Sequence, residues 1–264
     1  MPRDAVPPPL SDLQLALAGL GNSRDPQEQE QSCKVLTSIL DSEEKRHEAC
    51  RLGAPAAIVH AMNEGRQHHR LQVAACLALR VLCNSSAEEN ELAMESARAG
   101  AIESVLQSMR DHPHQPDVQE SACRAIRHLA LHSQNRLRLC RFQGIEHIRT
   151  SMQNHLDSEG VQESGCLAIG NLAFEPDCRH SVNSQLLQAI VHGMDKHAAS
   201  LSVQEAGVFA IYNLICTAEC YDLVQHCGAL EVVERAARNH RELQQSAEVQ
   251  TIIGQFGEQD AHAE

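Results

Sequence analysis

Five short segments of this chain are versions of one another, and that repetition restricts its fold more than any other feature. They read EQEQSCKVLTSI, LQVAACLALRVL, VQESACRAIRHL, VQESGCLAIGNL and VQEAGVFAIYNL. They align on Cys33, Cys76, Cys123, Cys166 and Val208, with offsets of 43, 47, 43 and 42 residues. A period in this range marks a stack of small helical units, none of which can bury its apolar face alone. The core of such an array grows along one axis. The 264 residues are therefore read as one elongated domain whose working part is a surface rather than a catalytic pocket.

Around the aligned position, apolar or small residues fall at −5, −1, +2, +3 and +6: Val118, Ala122, Ala125, Ile126 and Leu129 in the third copy, Val161, Gly165, Ala168, Ile169 and Leu172 in the fourth. Those spacings draw one stripe along an α-helix. Position −1 is always small (Ser32, Ala75, Ala122, Gly165, Gly207), which admits a neighbouring helix at close range. A second helix is marked 20 to 24 residues further on by Gly and an apolar run, at Gly53, Gly100, Gly144 and Gly228, with Gln185 in the fourth copy. Glycine there fits a tight bend after a short helix. Segments such as Glu43 to Arg51 and Gln134 to Arg141 leave room for that short helix.

Three helices per unit of about 42 residues, the last one long and ending as in VQESACRAIRHLA or VQESGCLAIGNLA, resemble the armadillo repeat family. The turns at Gly100, Gly144 and Gly228 share the resemblance, which covers about residues 10 to 255. Two-helix HEAT repeats are the structural alternative. The implied fold is all-α: an armadillo-type right-handed α-solenoid of about five three-helix repeats with partial terminal caps. It is expected over residues 10–258, between a disordered Pro-rich start (1–9) and a disordered tail (259–264). Ser11 is the expected N-cap of an incomplete first unit, and Leu243 to Phe256 the capping end. Both ends look abbreviated, so a longer array is also conceivable.

Composition narrows the function. Net charge is −13, which argues against binding nucleic acid or anionic membrane through a basic footprint. The longest apolar run, residues 207 to 216, is about half a membrane span. No secretory leader is read in MPRDAVPPPL, so most of the eleven cysteines are expected to be reduced, several as small buried hydrophobes, in a cytoplasmic or nuclear protein. The sixteen histidines are read as scattered solvated side chains.

In armadillo proteins the third helices line a concave groove for extended partners, and the resemblance implies the same here. The positions turned from the core are −3, +1, +4 and +5. They give Glu30, Lys34, Thr37 and Ser38, then Val73, Leu77, Arg80 and Val81, then Glu120, Arg124, Arg127 and His128. The last two copies add Glu163, Leu167, Gly170 and Asn171, and Glu205, Phe209, Tyr212 and Asn213. Nuclear-import armadillo adaptors pair Trp at +1 with Asn at +5. Asn171 and Asn213 match the second element, but Leu167 and Phe209 stand where Trp would be, so binding of a basic localisation peptide is not implied.

The third unit is the most basic. From Val118 to Thr150 it carries Arg124, Arg127, Arg136, Arg138, Arg141 and Arg149 against Glu120 and Glu146. Arginine suits bidentate recognition of carboxylate or phosphate, although pairing within the stack would equally occupy it. Phe209 and Tyr212 add aromatic anchors to the same wall.

No Gly-rich phosphate loop, GxSxG elbow or HExxH pair is present. Cys216, Cys220, His226 and Cys227 form only a weak zinc pattern. The expected function is a noncatalytic scaffold or adaptor, without metal or cofactor, that binds a protein partner, specifically an acidic or phosphorylated segment. Its groove residues are Arg80, Arg124, Arg127, His128, Asn171, Phe209, Tyr212 and Asn213. The alternative is a regulatory subunit acting on a small GTPase or kinase.

Overall fold

The computed structural model describes residues 11–85, 90–179, 182–215, 223, 224 and 226–260. The Pro-rich start, the last four residues and the Cys216/Cys220 pair lie outside the described residues. Everything with regular structure in that set is helical. An opening pair, α1 (Asp12–Asn22) and α2 (Pro26–Ile39), is followed by a first full unit of α3 (Glu43–Arg51), α4 (Ala54–Glu64) and α5 (His69–Leu82). The next is α6 (Glu91–Arg98), α7 (Ala101–Asp111) and α8 (Pro116–Leu129), then α9 (Ser133–Arg141), α10 (Gly144–Asn154) and α11 (Glu159–Leu172). A fourth unit comprises α12 (Pro176–Arg179), α13 (Ser184–Lys196) and α14 (Leu201–Leu214). The chain closes with α15 (Ala229–Asn239), α16 (Arg241–Gln244) and α17 (Ala247–Asp260).

Local chemistry sets these boundaries. Ser11 and Gln14 form a reciprocal capping box at α1, and Asp25, Ser42, Asn90, Ser158, Asn183 and Ser200 each accept from an early backbone N–H of the helix they open. The bend between first and second helices is left-handed at Gly53, Gly100 and Gly228 (φ 85°, 98° and 74°). In the third unit the bend falls one residue earlier than expected, on Gln143 (φ 58°), and Gly144 is the first residue of α10. A Cβ on Gly144 would lie 3.0 Å from the Leu139 carbonyl oxygen, so the glycine there serves packing. In the fourth unit α13 starts from its Asn183 cap.

The third helices α2, α5, α8, α11 and α14 lie side by side, each packed on its neighbours, with second helices behind them. The stripe read from the sequence is buried in the last four copies, while in the first only Leu36 is fully buried and Glu28 is exposed; Cys33, Cys76, Cys123, Cys166 and Val208 run through the core at its centre. Burial pushes each of those four thiols up to about 12, so they are inert hydrophobes. The small residue at −1 receives a methionine from the second helix: a Cβ on Gly165 would come within 2.8 Å of Met152 Cγ. Any larger side chain there would drive α10 and α11 apart.

Two polar ladders reinforce this core. Gln72, Gln119, Gln162 and Gln204, all buried, each donate from Nε2 to two carbonyls at the end of the second helix, at 2.8 to 3.0 Å. Gln29 does the same for α1 and the turn after it. These carbonyls have no partner within their own helix, so the glutamine amide satisfies what the helix end leaves open. The second ladder joins successive units: His112, His155, His197 and His240 approach Arg66, Pro113, Leu156 and Ala198 carbonyl oxygens at 2.7 to 2.9 Å. A carbonyl only accepts, so Nε2 carries the proton in each. The histidines are therefore not all scattered solvated groups; four of them are structural.

Candidate functional site

The basic centre of the third-helix wall is built on α5 and α8. Arg80 is half-buried near the end of α5, and its Nε is buried without a hydrogen-bond partner. Burial, and then the charge of Arg124, hold it below the usual arginine range. Arg124, one unit along, pairs with Glu120 on its own helix at 2.7 Å. Gly160 at the start of α11 leaves the space into which the Glu120 carboxylate extends.

His128, also half-buried, takes up the Arg124 carbonyl at 2.9 Å through Nδ1. Burial first, and then the charges of Arg127 and Arg80, push its imidazole below 6.5, against the backbone hydrogen bond. Arg127 is exposed, and no ion pair holds it among the described residues. Three arginines thus surround a neutral imidazole, Arg80 and Arg124 close enough to repel one another, with Glu120 the acidic partner that Arg124 holds. Their field favours an anion brought from outside.

Not all the arginines of this unit face a partner. Arg136 donates to the Ala130 carbonyl at 3.0 Å, Arg138 pairs with Glu103 and donates to the Ala97 carbonyl, and Arg149 pairs with Glu146. The first two tie a helix end and a neighbouring unit, and the third pairs along α10 itself. Part of the charge excess legible in the sequence is therefore structural, and the part on the third helix is Arg124, paired with Glu120, and Arg127.

Further along, the wall turns apolar. The Phe209 ring lies against Gly170, in the space a side chain there would take, so it is half-buried between α11 and α14. Leu167 and Tyr212 are likewise half-buried. Asn171 donates to the Arg127 carbonyl at 2.9 Å, binding α11 to α8 beside the basic cluster. Asn213 is 6% exposed and donates back to the Phe209 carbonyl at 3.1 Å. Its amide is thereby withdrawn from the accessible wall, where the sequence pattern put it.

Sequence reasoning overlooked one part of this face. Between α2, α5 and the start of α8 is an open depression of about 390 Å³, lined by Lys34, Thr37, Arg70, Val73, Leu77 and Asp117 among others. Arg70 sits at position −6, outside the positions considered, and Asp117 likewise. Among the described residues no group of three or more His, Cys, Asp or Glu side chains is arranged to hold a metal. No helix among them is long and apolar enough to cross a membrane.

Stacked three-helix units with a continuous wall of third helices define an α-solenoid of the ARM type, a fold that commonly mediates protein binding and is generally not enzymatic. The chain belongs to the LRRK2 ARM repeat family, whose model matches residues 17–231. No curated protein matches the sequence. Among solved structures it is similar to two engineered proteins determined as Northeast Structural Genomics Consortium targets. OR366 is 20% identical with a TM-score of 0.80, covering 93% of this chain and 98% of that one. OR329 is 17% identical with a TM-score of 0.77, covering 92% and 94%. At that identity the likeness concerns the fold alone.

Proposed function

We propose that this protein is a noncatalytic scaffold whose third-helix wall holds an extended acidic segment of a partner protein. The supporting observation is the cationic cluster of Arg80, Arg124 and Arg127 around a neutral His128, with Arg80 and Arg124 close enough to repel one another in a protein of net charge −13. A carboxylate or phosphate of the partner would relieve that repulsion and gain charge-assisted hydrogen bonds. The half-buried Phe209, Leu167 and Tyr212 next to it would receive an apolar residue of the same segment. Neither catalysis nor a cofactor enters this reading, and the protein works in the cytoplasm or nucleus.

The test is fluorescence anisotropy with a labelled extended peptide rich in Glu. The wild-type protein binds it in a salt-dependent way, and the pair Arg124→Glu and Arg127→Glu weakens binding at least tenfold with helical circular dichroism unchanged. Equal binding by the two proteins would remove the groove assignment. Loss of binding on altering Arg110 and Glu146 of the second helices instead would favour action through the opposite surface, as a regulatory subunit would use it.

A further inference from the structure

We infer that Cys140 and Cys178 are a thiol–disulfide modification site that locks the third unit to the fourth. Cys140 lies on α9 and Cys178 on α12, the short first helices of successive units, which pack against one another. The Cα atoms are 5.2 Å apart, within the range a disulfide spans, and the two sulfurs are bonded. The pair closes a loop of 38 residues that contains the whole of α10 and α11.

This pair differs chemically from the cysteines inside the core. Cys33, Cys76, Cys83, Cys123 and Cys166 are fully buried, with thiols pushed up to about 12, so they neither ionise nor meet solutes. Cys140 is only half-buried, so a solute can reach it. Cys178 is buried, and its sulfur is 3.6 Å from the Arg136 carbonyl oxygen, held in place for its partner.

The oxidant is a low-molecular-weight disulfide such as oxidised glutathione. The Cys140 thiolate attacks one of its sulfurs, breaking that S–S bond and releasing one thiolate, and leaves a mixed disulfide on Cys140. The Cys178 thiolate then attacks the Cys140 sulfur and expels the second thiolate. The protein loses two protons and two electrons, and the oxidant gains the electrons as two thiols. Reduced glutathione reverses both steps.

Locking has a mechanical consequence. The junction that Cys140 and Cys178 span is also held by His197, which donates to the Leu156 carbonyl, and by the Lys196–Asp157 ion pair. In the reduced form the third and fourth units are held by packing and such polar contacts alone, and they can open independently. In the oxidised form they open together. The inference does not depend on what the groove binds.

The experiment equilibrates the full chain in glutathione buffers of graded ratio, quenches by alkylation and maps the modified peptides by mass spectrometry. The Cys140 and Cys178 peptides should lose alkylation together, while those of Cys33, Cys76, Cys123 and Cys166 stay protected until the protein is denatured. The oxidised protein should melt about 10 °C above the reduced one, as expected for a loop of this length in a protein of this size. Cys140→Ser and Cys178→Ala should each abolish that difference. Independent oxidation of the two peptides, their pairing with other cysteines, or equal melting of the two forms would overturn the inference.

Discussion

The buried cysteines make a quantitative prediction about alkaline stability. Cys33, Cys76, Cys83, Cys123 and Cys166 have thiols raised from 9.0 to about 12 in the folded chain. Burial is the main cause in each. A raised pKa means that the folded state keeps a proton the unfolded state has lost. Stability from these groups is thus complete below pH 9 and drains away as pH rises towards 12. Each proton contributes about 1.4 kcal/mol per pH unit in that window, so these five thiols give a slope of about 7 kcal/mol per pH unit, to which Cys50, raised to about 11, adds about 1.4. A domain with a total stability of about 5–15 kcal/mol would unfold between about pH 10 and pH 11. The assay is helical circular dichroism followed from pH 8 to pH 12 at low ionic strength. The control is the triple variant Cys33→Val, Cys76→Val and Cys123→Val, motivated by Val208 at the same place in the fifth copy. Without those three thiols its slope should fall by about 4 kcal/mol per pH unit and its midpoint should move up. If variant and wild type unfold at the same pH with the same steepness, the buried thiols are not what limits alkaline stability, and the reasoning fails.

Three other outcomes are expected. Gln119→Leu would leave the Met109 carbonyl without its side-chain donor, the His112 carbonyl keeping the Gln115 N–H, and cost about 1–3 kcal/mol in urea unfolding, whereas an exposed control such as Gln27→Leu would cost under about 0.5. Gln143→Gly would relieve a left-handed non-glycine residue and raise stability by about 0.5–1 kcal/mol in the same assay, bringing the third unit into line with its neighbours. His128 is held neutral by burial and the nearby arginines, so its contribution to stability is present above 6.5 and lost as pH falls through its lowered value. Protonation there adds a positive charge to the wall. Affinity for the Glu-rich peptide should therefore rise between pH 7 and pH 5.5, and His128→Gln should flatten the profile.

The stacking of this protein was legible because stacking imposes period. The stripe at −5, −1, +2, +3 and +6 recurs because each copy meets the same neighbour, and the small residue at −1 is explained by a methionine lying over it. The glutamine at −4 recurs in all five copies and the histidine at −11 in the last three, but the glutamine was given no role and the histidines were read as solvated. Its meaning emerges only when the carbonyls it serves are located in space.

The site was less legible for a related reason. A position on the outward side of a helix is accessible only if no neighbour covers it. Asn213 is covered and bonded to its own helix, and Gly170 is covered by Phe209, although both carry outward register. Arg80 was found by register alone, but that it is pressed between other cations depends on the neighbouring helix. The Cys140–Cys178 pair lies on first helices, whose sequences scarcely repeat, so no period pointed to it.

The central claim is that the wall between α5 and α14 is where the partner lies. Hydrogen exchange of the protein with and without a Glu-rich peptide, supported by zero-length crosslinking, tests it most directly. The account predicts slowed exchange in peptides covering α5, α8 and α11, and altered protection around Phe209. Protection confined to α4, α7, α10 and α13, or no change at saturating peptide, would contradict it.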